Sequence, residues 1–337
     1  MNGLQLPGPA GELEQGDRGV GFRIMLRCAV LDDYQGVALG LADWSRVRAT
    51  SFRAHLTGHD ELVAALAGFE IVVVMRERTP FTAEVFERLP RLRLLITTGM
   101  RNASVDLDAA RARGVTVCGT GSASTPPAEL TWALILGLAR HLLPESAAMR
   151  SDGPWQSTVG MDLHGSTLGL LGLGKIGSQM ARIGQAFGMN VIAWSRHLTR
   201  ARTDELGVRL ATKEELFAES DVVSVHLVLG ERTRGLVGRR ELSLMRPSAY
   251  LVNTSRAAII DQDALAAALR EGLIAGAGLD VFETEPLPAG HELRRLPNVL
   301  ATPHLGYVTG GNYETYFRDA VQDIDAYLDG TPIRVLT

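Results

Sequence analysis

Two alternations of short apolar runs with amphipathic segments, split by one long helical stretch, limit what this chain can fold into. From Leu26 the runs "LRCAVLDD", "VRATSF", "IVVVM", "LRLLITTG" and "VTVCGT" are separated by helix-like segments near 36–43, 60–67, 82–89 and 105–112. Short strands joined through helices lie parallel, with helices on both faces of the sheet. The rhythm returns at "STLGLLGLGKIG" and continues through "NVIAWS", "VRLA", "SDVVSVHLVL", "AYLVNTS", "IAGAGLDVF" and "NVLATPH", before a last helix, "ETYFRDAVQDIDAYLDG". The expected class is α/β with two doubly wound parallel sheets, and 337 residues favour two domains over one.

Between the alternations, "STPPAELTWALILGLARHLLPESAAMR" reads as one helix over about 127–149. Ser124 or Thr125 can cap it, and the prolines suit its first turn. It is apolar nearly all round, which implies burial on more than one side. A helix that joins two domains and also lies in a two-fold homodimer interface fits; a plain core helix is the alternative.

Composition excludes several classes. A hydrophobic share of 46% with a formal charge of −4 is that of a soluble globular protein and argues against nucleic acid as a partner. Cys28 and Cys118 are too few for a disulfide framework and read as small buried thiols. The most apolar run, "LTWALILGLARHLL", is too short for a membrane span and carries Arg140 and His141. Residues 1–24 are rich in glycine and polar residues, have no period and lack the pattern of a signal peptide. They read as a disordered tail, or as the product of a start codon set too far upstream, and the expected location is the cytoplasm. No metal site is expected.

"GLGKIG", Gly172 to Gly177, matches G-x-G-x-x-G, with an apolar strand running into it and the helical "SQMARIGQAFG" running out. Gly172 permits the tight turn, Gly174 lets backbone approach a pyrophosphate, and Gly177 allows close helix–strand packing. The helix N-terminus then offers free N–H groups to the phosphates. The next strand, "NVIAWSRHLT", ends on Ser195 and Arg196 where an acid would hold the ribose hydroxyls of NAD. Ser195 does not repel a 2′-phosphate, Arg196 can pair with it or stack on adenine, and His197 and Arg200 add positive character. NADP(H) is therefore the expected cofactor, with NAD(H) as the alternative.

With "VDLDAARARGVTV", "AELTWALILGLAR", "GLLGLGKIG", "LVNTSRAAIID", "AGLDVFETEP" and "NVLATPHLG" in this order, the chain resembles the D-isomer-specific 2-hydroxyacid dehydrogenases over about 29–330. The resemblance implies a flavodoxin-like substrate domain made of 25–119 and 305–337, with a Rossmann cofactor domain inserted at 120–304 and the active site in the cleft. It also implies Lys175, Ile176, Thr254, Ser255, Arg256, Asp280, His304 and Gly306 as cofactor neighbours beside the glycines, Asp280 facing the nicotinamide side.

Reducing a 2-keto acid needs a hydride on the carbonyl carbon, a proton on its oxygen and a cation on the carboxylate. Arg256 can supply the bidentate fork, and His304 the proton. Glu285, paired with the other imidazole nitrogen, would favour the protonated ring and fix its orientation. By the resemblance these are the family's catalytic three; formate dehydrogenases of the superfamily carry Gln at the glutamate, so the acid speaks for alcohol–ketone chemistry. "TTGMRNAS" aligns with the loop that receives the carboxylate, giving Gly99, Met100 and Arg101 as substrate neighbours, although Arg101 and Asn102 replace small residues. Arg76 sits at a strand's C-terminal end, where ligands gather in parallel sheets, and Tyr307 is expected to wall the pocket. The expected activity is reduction of a small 2-keto acid such as glyoxylate or hydroxypyruvate. The rival readings are a corepressor-like dinucleotide sensor and an oxidoreductase acting on an inorganic oxyanion.

Overall fold

The computed structural model describes residues 25–337, so the expected tail lies outside the described residues. Two parallel sheets organise the rest. The first holds β1 (Arg27–Val30), β2 (Arg48–Ser51), β3 (Ile71–Val74), β4 (Leu94–Thr97) and β5 (Thr116–Gly119), in the order β2-β1-β3-β4-β5. The second holds β6 (Thr167–Leu171), β7 (Asn190–Trp194), β8 (Arg209–Leu210), β9 (Val222–Val225), β10 (Tyr250–Asn253), β11 (Gly276–Leu279) and β12 (Val299–Ala301), in the order β12-β11-β10-β9-β6-β7-β8. Every pair within both sheets is parallel. The first order is that of flavodoxin-like sheets and the second that of a dinucleotide-binding sheet. Its switch point falls between β6 and β9, where a ligand crevice opens.

The central strands are buried on both faces, which is why β3 and β10 read as unbroken apolar runs and not as alternations. The helix Gly310–Leu328 returns to the first sheet, where Tyr313, Tyr316, Phe317, Ala320 and Ile324 pack with Val30, Ile71, Val73, Leu94 and Ile96. The chain's last residues follow it. The Leu336 amide donates to the Val117 carbonyl at 2.8 Å and the Gly119 amide to the Arg334 carbonyl at 3.0 Å, adding a short antiparallel segment beside β5. The two crossings between the sheets touch: the Gly121 amide donates to Asp319 and the Ala123 amide to Asn312, each at 2.9 Å. Cys28 and Cys118 are buried free thiols, held neutral by burial.

Two local expectations need correction. The helix near 36–43 is a single short turn, Ala38–Gly40; Gly36 stands at φ +68°, and two glycines in so short a segment weaken a helix. The long helix over 127–149 is two helices, Pro126–Ala139 and Leu142–Arg150, broken at His141 with φ +50°. Pro144 explains the break, since it cannot donate to the Arg140 carbonyl and its ring crowds that position. The first helix buries Trp132, Leu134, Ile135 and Leu138. The second has no buried residue, and Leu142, Leu143 and Met149 are each 56% exposed, so burial on more than one side holds only for the first.

Candidate functional site

Beyond β6 the glycine loop takes its form from three different constraints. Gly172 has φ +104°, and a Cβ there would stand 2.6 Å from the His226 carbonyl oxygen. A Cβ on Gly177 would collide with the Gly172 carbonyl, so the helix Lys175–Ala186 packs this close only with glycine at that position. At Gly174 a Cβ would meet nothing within 4 Å, leaving open space over the helix N-terminus. Lys175 is exposed there and Ile176 half-buried. The loop is thus close-packed behind and open in front, a form that could hold a pyrophosphate.

A cavity of about 330 Å³ adjoins this loop, lined by Gly172, Gly174, Ser195, His197, Thr199 and Arg202 among others. Arg196 and Arg200 are exposed and are not among its lining residues. Arg202 is, held by bonds to Ser178 Oγ at 2.9 Å and Glu205 at 2.6 Å. Sequence reading missed it because it lies in the helix after the strand, and only the fold turns it toward the loop. His226, at the end of β9, bonds Ser224 through Nε2 at 2.8 Å; burial pushes its pKa down to about 4.

The second half of the site gathers at the ends of β10 and β11 and the turn after β12. Asn253, buried at the end of β10, donates to the Arg256 carbonyl at 3.0 Å and accepts from the Ser255 amide at 3.0 Å, which folds the turn that presents Arg256. Ser255 Oγ donates to the Val225 carbonyl, and Thr254 Oγ meets Thr131 Oγ at 2.7 Å. Arg256 donates from Nη1 to the Ser255 carbonyl and from Nη2 to Glu77 Oε1, each at 2.7 Å.

His304 has φ +56°, an uncommon conformation for a histidine, in a turn held from below by Asp280. Asp280 is fully buried and accepts from Thr302 Oγ at 2.7 Å, the Leu305 amide at 2.7 Å and the Gly306 amide at 2.9 Å. Burial nonetheless raises its carboxyl above the ordinary range, outweighing those bonds. The structure thus places Asp280 under the histidine turn. His304 Nδ1 lies 2.6 Å from Glu285 Oε2, and Glu285 Oε1 accepts from the Phe282 amide at 2.9 Å. Burial acts to raise the Glu285 carboxyl, but the hydrogen bond and charge of His304, the Phe282 amide and nearby Arg78 together hold it below the usual range. Tyr307 stands edge-on to His304, with ring centroids 5.5 Å apart.

The loop after β3 reaches both groups. Glu77 bonds Arg256, and Arg78, stacked over Tyr34 and Tyr307, donates to the His304 carbonyl at 3.3 Å. One loop therefore bonds both Arg256 and the turn that carries His304. Arg76, also at positive φ (+53°), packs its guanidinium against Gly99. Met100 and Arg101 are exposed beside it. Asn102 is an anchor, donating to the Arg76 carbonyl at 2.6 Å and to Thr97 Oγ at 2.9 Å. Glu77 and Arg78 were missed in the sequence, where two alternating charges after a strand look like an ordinary solvated loop. A cavity of about 370 Å³ opens beside His304 and Glu285, walled by Tyr34, His55, Arg78 and Phe282. Among the described residues no cluster of three or more His, Cys, Asp or Glu could hold a metal ion, and no helix is long and apolar enough to cross a membrane.

Comparison with known proteins shows what the chain resembles. The family model described as "D-isomer specific 2-hydroxyacid dehydrogenase, NAD binding domain" matches residues 132–306. The chain is 40% identical over 256 residues to a glyoxylate reductase of Aeropyrum pernix, covering 73% of this chain and 76% of that protein. It superposes on a phosphoglycerate oxidoreductase of Vibrio cholerae with a TM-score of 0.86 at 38% identity, over 91% of this chain and 100% of the other. The D-lactate dehydrogenase of Escherichia coli superposes with a TM-score of 0.80 at 27% identity, over 93% and 100% of the two chains.

Proposed function

Because the chain belongs to the D-isomer-specific 2-hydroxyacid dehydrogenases, enzymes that act on CH–OH groups with a nicotinamide dinucleotide, we propose that it reduces a small 2-keto acid to the D-2-hydroxy acid, with NADPH preferred over NADH. One observation carries the assignment of roles: His304 sits 2.6 Å from an ionised Glu285, and a single loop bonds both the His304 carbonyl and Arg256. Arg256 receives the substrate carboxylate and polarises the carbonyl through its planar fork. Glu285 holds the Nδ1 edge of His304, which leaves Nε2 to deliver a proton to the carbonyl oxygen. The open face at Gly174 and the close packing at Gly172 and Gly177 fit a bound dinucleotide. When bound, the nicotinamide supplies the hydride; the chain orients the acid and moves the proton. The cavity of about 370 Å³ beside His304 gives room for a substituent on the keto carbon. Ser195, His197, Thr199 and Arg202, with no acid among them, support the preference for a 2′-phosphate.

The working unit in this reading is a homodimer. Leu142, Leu143, Met149, Trp155 and Val159 form a run of exposed apolar side chains, with Trp155 77% and Val159 94% exposed, which a second copy would cover. The test of function is a panel of 2-keto acids, glyoxylate, hydroxypyruvate and pyruvate among them, each with NADPH and NADH. Rapid oxidation of NADPH by at least one of them is expected; failure with all would overturn the proposal.

A further inference from the structure

An acid on the arginine that is to hold the substrate's acid is an unexpected neighbour. Glu77 Oε1 accepts from Arg256 Nη2 at 2.7 Å, and both side chains are largely shielded, with 20% and 34% exposure. Glu77 stands on the loop after β3 of the first sheet, Arg256 on the turn after β10 of the second, so the bond crosses the cleft. The loop is held at several points. The Arg76 amide donates to Thr98 Oγ at 3.0 Å, Asn102 holds the Arg76 carbonyl, and Ser104 Oγ donates to the Glu77 carbonyl at 3.4 Å. Behind it, Arg76 Nε lies 3.9 Å from Glu77 Oε2, which is buried and makes no hydrogen bond. A carboxylate so fixed, between two guanidinium groups, sets a direction for the one that can swing. Arg256 has several freely rotating side-chain bonds, and among the described residues its guanidinium bonds one other group, the Ser255 carbonyl.

Resting on the function proposed above, we propose that Glu77 is a positioning residue. Its carboxylate, reaching across the cleft, locks the guanidinium of Arg256 in the orientation that receives the substrate carboxylate. Glu77 acts through Arg256 and takes no part in proton or hydride transfer. Because the two residues stand on different sheets, the clamp is aimed only when the two sides of the cleft are together.

The sign of one measurement decides this. In Glu77→Ala, Arg256 loses its aim and KM for the keto acid rises by roughly tenfold or more, the range expected for one lost charge-assisted contact. The Kd for NADPH stays within about threefold, which also reports that the variant is folded, and the pH profile of kcat keeps its position. Glu77→Gln retains an acceptor oxygen and recovers most of the loss. In an Arg256→Ala background, Glu77→Ala adds little, since the two act as one unit. An unchanged KM in Glu77→Ala overturns the proposal, as the ion pair is then incidental. A lowered KM also overturns it, as Glu77 then competes with substrate for Arg256. If Arg256→Ala itself keeps full efficiency, it is the assignment of Arg256 that fails.

Discussion

Ser195→Asp tests the cofactor reading most directly. Ser195 lines the open cavity beside the glycine loop, where the proposed function puts the adenosine ribose of the dinucleotide. A carboxylate introduced there faces a 2′-phosphate of about −1.5 to −2 charges at roughly 5 Å. Coulomb's law with an effective dielectric between about 20 and 80 puts the repulsion between roughly 1 and 7 kcal/mol. The cavity is open to solvent, so the lower part of that range applies, about 2 kcal/mol, or near thirtyfold in NADPH affinity. NADH moves the other way, since the carboxylate accepts from its ribose hydroxyls. Adding Arg202→Ala removes a guanidinium that already bonds Ser178 and Glu205. Its further effect should be smaller, about tenfold. Calorimetric titration with NADPH and NADH, repeated at low and high salt, reads these numbers; the wild-type preference should shrink as salt screens it. A ratio of the two affinities that stays within threefold of wild type in the double variant would refute the reasoning, and Arg196 would become the residue to change.

Four further outcomes are expected. Arg256→Lys keeps the charge and loses the fork, so kcat/KM for the keto acid should fall by about 10- to 100-fold; wild-type efficiency would remove Arg256 from the clamp. Glu285→Gln replaces an ionised carboxylate, so the loss of reductive rate with rising pH should begin at lower pH, and an unmoved profile with chemistry rate-limiting would separate Glu285 from His304. His226 is held neutral down to about pH 4, while in the unfolded chain it takes up a proton near 6.5. Its share of stability is present above 6.5 and is lost as pH falls from there toward 4, at about 1.4 kcal/mol per unit. Urea midpoints at pH 7.5 and 5.5 should show that slope, and His226→Asn should flatten it. Light scattering at micromolar concentration should report two chains, with Leu142→Glu plus Leu143→Glu giving one; a monomeric wild type would sink the dimer.

What could be read in the sequence follows the range of the interactions. Strands and the glycine loop were legible because their causes are local: apolar runs, turn glycines, a helix start. Arg256, Glu285 and His304 were singled out because each stands in a distinctive run just past a strand; the structure sets Glu285 against His304, and the roles of the three belong to the proposed function. Glu77 and Arg78 were not, because what distinguishes them is a partner far along the chain; Arg202 was not, because only the fold turns its helix toward the glycine loop. Glu77 meets Arg256 179 positions on, and Arg78 meets His304 226 positions on. The break at His141 was legible in Pro144, but the apolar periodicity across it reads as continuous.

The return of the helix Gly310–Leu328 to the first sheet has a consequence for how the protein is made. Synthesis runs from the N-terminus, so β1 to β5 leave the ribosome first, with one face still lacking Tyr313, Tyr316, Phe317 and Ile324. The whole second sheet follows and contains everything its own core needs, and domains that emerge complete fold as units. The first sheet must wait, an apolar face open to water or to a chaperone, until the helix that seals it is released. In a growing chain the dinucleotide sheet is therefore the first to be finished, although its strands are the second to appear.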